Sequence, residues 1–108
     1  MGDIKVSTIT RSDHHVIVTC AGDLDLDAEA AFERALLEVA TREPLHLELD
    51  LTGVTFFGIS AIGVIVRCAD RLTSSGCTVS LLGSNAVQRV LELGGVADRF
   101  PQTPGTRG

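Results

Sequence analysis

The segment Gly58-Ile59-Ser60-Ala61-Ile62 offers a serine two residues after a glycine, between a strand-like stretch and a helix-like one. A Gly-x-Ser-x-Gly turn in that position presents a nucleophilic hydroxyl in the hydrolases that use one. The second glycine fails here, because position 62 is Ile and Gly63 comes one residue late. Such chemistry also needs an acid and then a histidine after the serine, yet His14, His15 and His46 all precede it. The expectation is a protein that is not an enzyme.

Metal and cofactor chemistry find no better footing. His14 and His15 are adjacent, His46 falls on the polar face of a strand, and no Cys or carboxylate is spaced to complete a site. Cys20, Cys68 and Cys77 are odd in number and lack metal or redox-pair spacing, so they read as buried thiols with no assigned redox role. A phosphate-binding loop needs clustered glycines and a lysine at the helix start, whereas Gly53, Gly58 and Gly63 are dispersed and Lys5 is the only lysine. No cofactor and no metal are expected. The acidic run Asp23, Asp25, Asp27, Glu29 and Glu33 leaves two readings open, a patch facing a partner or solvated carboxylates at the positive end of a helix dipole. A net charge of −5 without any basic run disfavours nucleic acid, whose binding rests on neutralising phosphates.

The elements that position these residues follow from periodicity. Leu45-His46-Leu47-Glu48-Leu49-Asp50-Leu51 alternates cleanly, as do Val79 and Leu81 with Thr78 and Ser80, so one face of each strand is buried and the other wet. Ile4, Val6 and Thr8 against Lys5 and Ser7 is a weaker strand. Val16, Val18 and Cys20 oppose Ile17, Thr19 and Ala21, where both faces could be partly covered. Helical spacing marks 27–41 (Ala28, Phe32, Ala35, Leu36, Val39, Ala40), 60–74 (Ile62, Ile65, Val66, Ala69, Leu72) and 85–93. Asp25 or Asp27 and Ser84 are candidate N-caps, and Gly76 and Gly94-Gly95 are stops. Phe56 and Phe57, if extended, point opposite ways, so that one is core and the other near the rim.

A hairpin turn around Ser12-Asp13-His14, followed by strand–helix–strand units with right-handed crossovers, implies a mixed sheet. Doubly wound sheets bury both faces and give continuous apolar runs, which are absent here. The fold class is therefore α/β, a single domain over 1–100 with a four- to five-stranded mixed sheet and helices mainly on one face. A short last strand is expected near Asp98–Phe100, and a frayed tail over 101–108. With 44% apolar and 21% charged residues in 108, the composition suits one globular core. No apolar run approaches membrane-spanning length, and the start lacks a signal-peptide pattern or the Ser or Thr at position 6 that myristoylation would want, so a cytoplasmic protein with no membrane span is expected.

Three segments in order resemble the STAS domain, the family of sulfate-transporter and anti-sigma factor antagonist domains. Gly22-Asp23-Leu24-Asp25 is similar to the family's Gly-(Glu/Asp)-Leu-Asp motif, and Asp50-Leu51-Thr52-Gly53-Val54-Thr55-Phe56 to its third strand and the turn beyond. Phe57 to Ile65 aligns with its Asp-Ser-Ser-Gly-(Leu/Ile)-Gly-Val-Leu region. The resemblance covers roughly residues 4 to 100. It implies stoichiometric binding to an anti-sigma factor that is also a protein kinase, which frees a sigma factor until the kinase phosphorylates the first motif serine. Carried over by position, the partner surface comprises Asp23, Asp25, Gly58, Ile59, Ser60 and Ala61. The motif departs from the pattern: Gly58 stands for Asp, Ile59 for the phosphoacceptor, and Ala61 for Gly. Ile59 cannot be phosphorylated. Constitutive binding, phosphorylation shifted to Ser60, and a docking or scaffold module in another signalling or transport assembly are the readings that follow. A helix turns about 100° per residue, so Ser60 need not reach a kinase site built for position 59, and it reads first as an N-cap.

Overall fold

In the computed structural model, which describes residues 4–10, 14–96 and 100, the alternating segments pair into one four-stranded sheet. The strands are β1 (Ile4–Thr10), β2 (His15–Leu24), β3 (His46–Phe57) and β4 (Thr78–Gly83), and they lie side by side in that order. Helices α1 (Leu26–Thr41) and α2 (Ser60–Ser74) connect β2 to β3 and β3 to β4, and α3 (Asn85–Leu93) follows β4. β1 and β2 run antiparallel from Ile4↔Gly22 to Thr10↔Val16, as a hairpin requires, although its expected turn at Ser12-Asp13 lies outside the described residues. β2–β3 and β3–β4 are parallel. Both crossovers step the same way across the sheet, so a common right hand places α1 and α2 on the same face. The mixed sheet follows directly.

Burial agrees with that placement. Val16, Val18 and Cys20, Leu47, Leu49 and Leu51, and Val79 and Leu81 point into the core, while Ile17, Thr19, Glu48, Asp50 and Ser80 stay half-exposed on the other face. From α1 the core takes Ala28, Phe32, Leu36 and Val39; from α3 it takes Val87 and Leu91. The stripe on α2 is rotated from the expected one. Ala61, Val64 and Cys68 are buried with Ile65, Ala69 and Leu72, whereas Ile62 and Val66 are only half-buried. The cause is α3: Ile62 Cδ1 packs over Gly94, 2.7 Å from where a Cβ there would stand, so α2 turns that flank to its neighbour and the Ala61 side to the sheet. Asp25 caps α1 and Ser84 caps α3, accepting from Ala28 N at 3.0 Å and Val87 N at 3.3 Å. Gly76 (φ +91°) follows the end of α2, and Gly94 closes α3. Phe100 is buried, but 97–99 and 101–108 lie outside the described residues, and with them the expected last strand and tail.

The thiols of Cys20, Cys68 and Cys77 are all free and buried. Burial pushes Cys20 up from its usual 9.0 to about 12. Between those values the unfolded chain has lost a proton that the folded chain still holds, so this contribution to stability is whole below pH 9 and is lost as pH rises toward 12. Burial raises Cys68 and Cys77 as well, so they add to the same trend, and with no tyrosine and a single lysine few other groups titrate in that window. Urea midpoints measured from pH 8 to pH 11 should fall with pH, and fall less steeply in Cys20→Ala.

Candidate functional site

The carboxyl ends of β2 and β3 are shaped by two irregularities. Between Thr19↔Asp50 and Ala21↔Gly53, and again between Gly22↔Val54 and Asp23↔Phe56, β3 advances one residue more than β2. Each bulge moves the inward position on by one, so buried residues in β3 step 47, 49, 51 and then 54 and 57. The strand therefore continues to Phe57 where the sequence reading expected a turn after Leu51. Asp50 satisfies the first bulge by accepting from Thr52 N (3.1 Å) and Thr52 Oγ1 (2.6 Å). Glycine is required at position 53, because a Cβ there would lie 2.9 Å from Ala21 Cβ. It is required also at Gly22, whose φ is +107°. Ser84 ties the bulged end to α3 by donating to Val54 O at 2.8 Å.

These bonds bring the carried-over residues to one edge of the molecule. Half-buried Asp23 accepts from Thr55 Oγ1 at 2.7 Å across the second bulge. Asp25 is held by its capping bond to Ala28 N, with Asp27 and Glu29 in the same first turn. Gly58 N donates to Leu24 O at 3.1 Å, which joins the two loops, and Phe56 lies over Gly58, 3.7 Å from where a Cβ there would stand. Ile59 is 70% exposed. Phe57 is core and Phe56 is 52% exposed, as their opposite directions required.

Two expectations are corrected. Ser60 is not the N-cap of α2. Ile59, whose side chain carries no acceptor, holds that position in helical conformation, and the first N–H groups bond back within a tight turn, Ala61 N donating to Gly58 O at 3.0 Å and Ile62 N to Ile59 O at 3.1 Å. Ser60 is instead the first helical residue, exposed, and its hydroxyl donates to Glu29 Oε2 on α1. Ala61 cannot contact a partner, since it is 0% exposed and faces the sheet. Leu26, 73% exposed at the start of α1, is not among the residues the sequence singles out; its signal is a large apolar residue two positions before the buried stripe begins at Ala28.

Chemically, the edge displays apolar side chains (Leu26, Phe56, Ile59) beside carboxylates (Asp23, Asp25, Asp27, Glu29). Glu33, one turn further along α1, meets Arg67 at 3.7 Å, an exposed pair worth little. Among the described residues no His, Cys, Asp or Glu cluster could hold a metal ion, and His15 and His46 meet edge-on at 6.1 Å on the opposite end of the strands. No helix there is long and apolar enough to cross a membrane.

A family model described as "Mlab, STAS domain" matches residues 7–102. The anti-sigma-F factor antagonist RsfA of Mycobacterium tuberculosis is 30% identical over 103 residues, 93% of this chain and 80% of that protein. RsfB of the same organism, also an anti-sigma-F factor antagonist, is 26% identical over 95 residues, 86% and 78% of the two chains. The crystal structure of an anti-sigma factor antagonist from Mycobacterium paratuberculosis superposes with a TM-score of 0.80 at 26% identity, covering 94% of this chain and 86% of that one. Unphosphorylated SpoIIAA, at 15% identity and a TM-score of 0.76 over 94% and 90%, shares the fold. With its mixed sheet and with nearly all of its length inside the family match, the chain belongs to the STAS domain family.

Proposed function

We propose that this chain is an anti-sigma factor antagonist that binds a kinase-type anti-sigma factor stoichiometrically in the cytoplasm and lacks the phosphorylation that would end the complex. The observation that carries the reading is Ile59. Where the family motif has its phosphoacceptor, this chain presents an isoleucine that opens α2 and is 70% exposed. A large apolar side chain held in water at the edge that also exposes Leu26 and Phe56 suits the desolvated centre of an interface, and it has no hydroxyl to modify. The names of RsfA and RsfB support the partner class.

Ser60 does not take over the switch. Its hydroxyl is bonded to the Glu29 carboxylate, and a phosphate there would bring nearly two more negative charges against it. Ser60→Ala removes one exposed hydrogen bond, so its affinity for the anti-sigma factor should stay within about twofold of wild type, given that surface changes of this kind fall within ±0.5 kcal/mol.

Calorimetric titration of the chain with each purified kinase-type anti-sigma factor of its host, followed by competition with the sigma factor, tests the reading. One-to-one binding that displaces sigma is expected. Binding to none of them would overturn it and turn attention to a docking module in a different assembly.

A further inference from the structure

A groove of about 400 Å³ runs between the end of β3 and α3, walled by Phe56, Phe57, Ala86 and Val90 with Arg89 on its rim. We propose that this groove is the second half of the partner surface, and that it receives a segment of the anti-sigma factor in which an apolar side chain stands next to a carboxylate, the latter read by Arg89. The inference rests on the antagonist reading above and adds to it the chemistry of the partner.

Two observations carry it. The groove is continuous with the Ile59 edge, because Phe56 is shared: its ring covers Gly58 on one side and walls the groove on the other. Arg89 is exposed and has no ion-pair partner among the described residues, although the chain as a whole is acidic. Glu92, one turn along α3, leaves it unpaired. The surface consequently reads from carboxylates (Asp23, Asp25, Asp27, Glu29) through apolar residues (Leu26, Ile59, Phe56) to a single guanidinium. A complementary partner presents base, then apolar side chain, then acid. That order fixes the direction in which it can lie, and like-charge juxtaposition rejects the reverse. A small molecule seated in the groove would leave Leu26 and Ile59 in water, whereas a protein segment that also lies on that edge covers them. A second copy of the chain is disfavoured by the mutual repulsion of two molecules of charge −5.

The test is the affinity of Arg89→Glu, Arg89→Gln and Arg89→Lys for the anti-sigma factor that binds the wild-type chain, at low and high salt. Arg89 is exposed, so thermal melts of all three should match wild type. Arg89→Glu is expected to weaken binding about tenfold or more, the range seen for close interfacial charge pairs. Arg89→Gln should flatten the salt dependence, and Arg89→Lys should keep part of the affinity, because lysine supplies the charge without the planar fork. A lysine placed at the partner's carboxylate should restore binding to Arg89→Glu. Wild-type affinity and salt dependence in Arg89→Glu would overturn the groove while leaving the antagonist reading in place. A wild-type chain that binds no anti-sigma factor would overturn both.

Discussion

Ile59→Asp should weaken binding to the anti-sigma factor by about 30-fold or more while leaving the domain as stable as wild type. The estimate takes Ile59 as an interface anchor worth about 2 kcal/mol, where 1.4 kcal/mol is tenfold in affinity. The two halves of the result have separate causes. Ile59 is 70% exposed and occupies the cap position of α2 without any side-chain cap bond. An exposed aspartate there buries nothing, and its charge suits the positive end of the α2 dipole, so folding loses little. Binding must instead bury a carboxylate among Leu26, Phe56 and the partner, close to Asp25 and Glu29. Melting temperature and calorimetric affinity on the same sample separate the effects. Equal affinities for wild type and Ile59→Asp would remove Ile59 from the interface.

Phe32→Ala should have the opposite character, a large loss of stability with no change in the chemistry of the binding edge. Phe32 is fully buried on α1, in the cluster with Leu36, Leu24 and Ile65. Truncating a buried aromatic costs about 3–5 kcal/mol in transfer free energy and residual cavity, against a total stability of roughly 5–15 kcal/mol for a domain. At about 4 °C or more per kcal/mol for a chain of this size, the melting temperature should fall by roughly 12 °C or more. A loss of less than about 1 kcal/mol would mean that α1 collapses onto the sheet to fill the space. Affinity, measured well below the new melting point, should match wild type.

The helices and the first parts of the strands were legible because burial there follows one period. The ends of α1, α2 and α3, the caps at Asp25 and Ser84 and the stop at Gly94 lie within a residue or so of where spacing and cap chemistry put them. The second half of β3 was not legible. Two bulges change its step from two residues to three, so Thr52 to Phe57 shows no alternation and reads as a turn, although it is the strand that carries the site. Ile59 takes the N-cap position in helical conformation and α2 begins at Ser60, so a serine that looks like a cap lies inside the helix. Its bond to Glu29 joins residues 31 apart, and nothing local announces it. Ala61 was placed on the partner surface by alignment alone; the rotation of α2 toward α3 puts it in the core.

The measurement that bears most directly on the central claim is an ATP challenge of the purified complex between this chain and the kinase-type anti-sigma factor proposed as its partner, read by size exclusion and intact mass. The expected result is a complex that persists with the chain's mass unchanged, while a parallel sample carrying Ile59→Ser gains a phosphate and comes apart. A wild-type chain that gains phosphate and leaves the complex would contradict the account, because the switch would then operate without a hydroxyl at position 59.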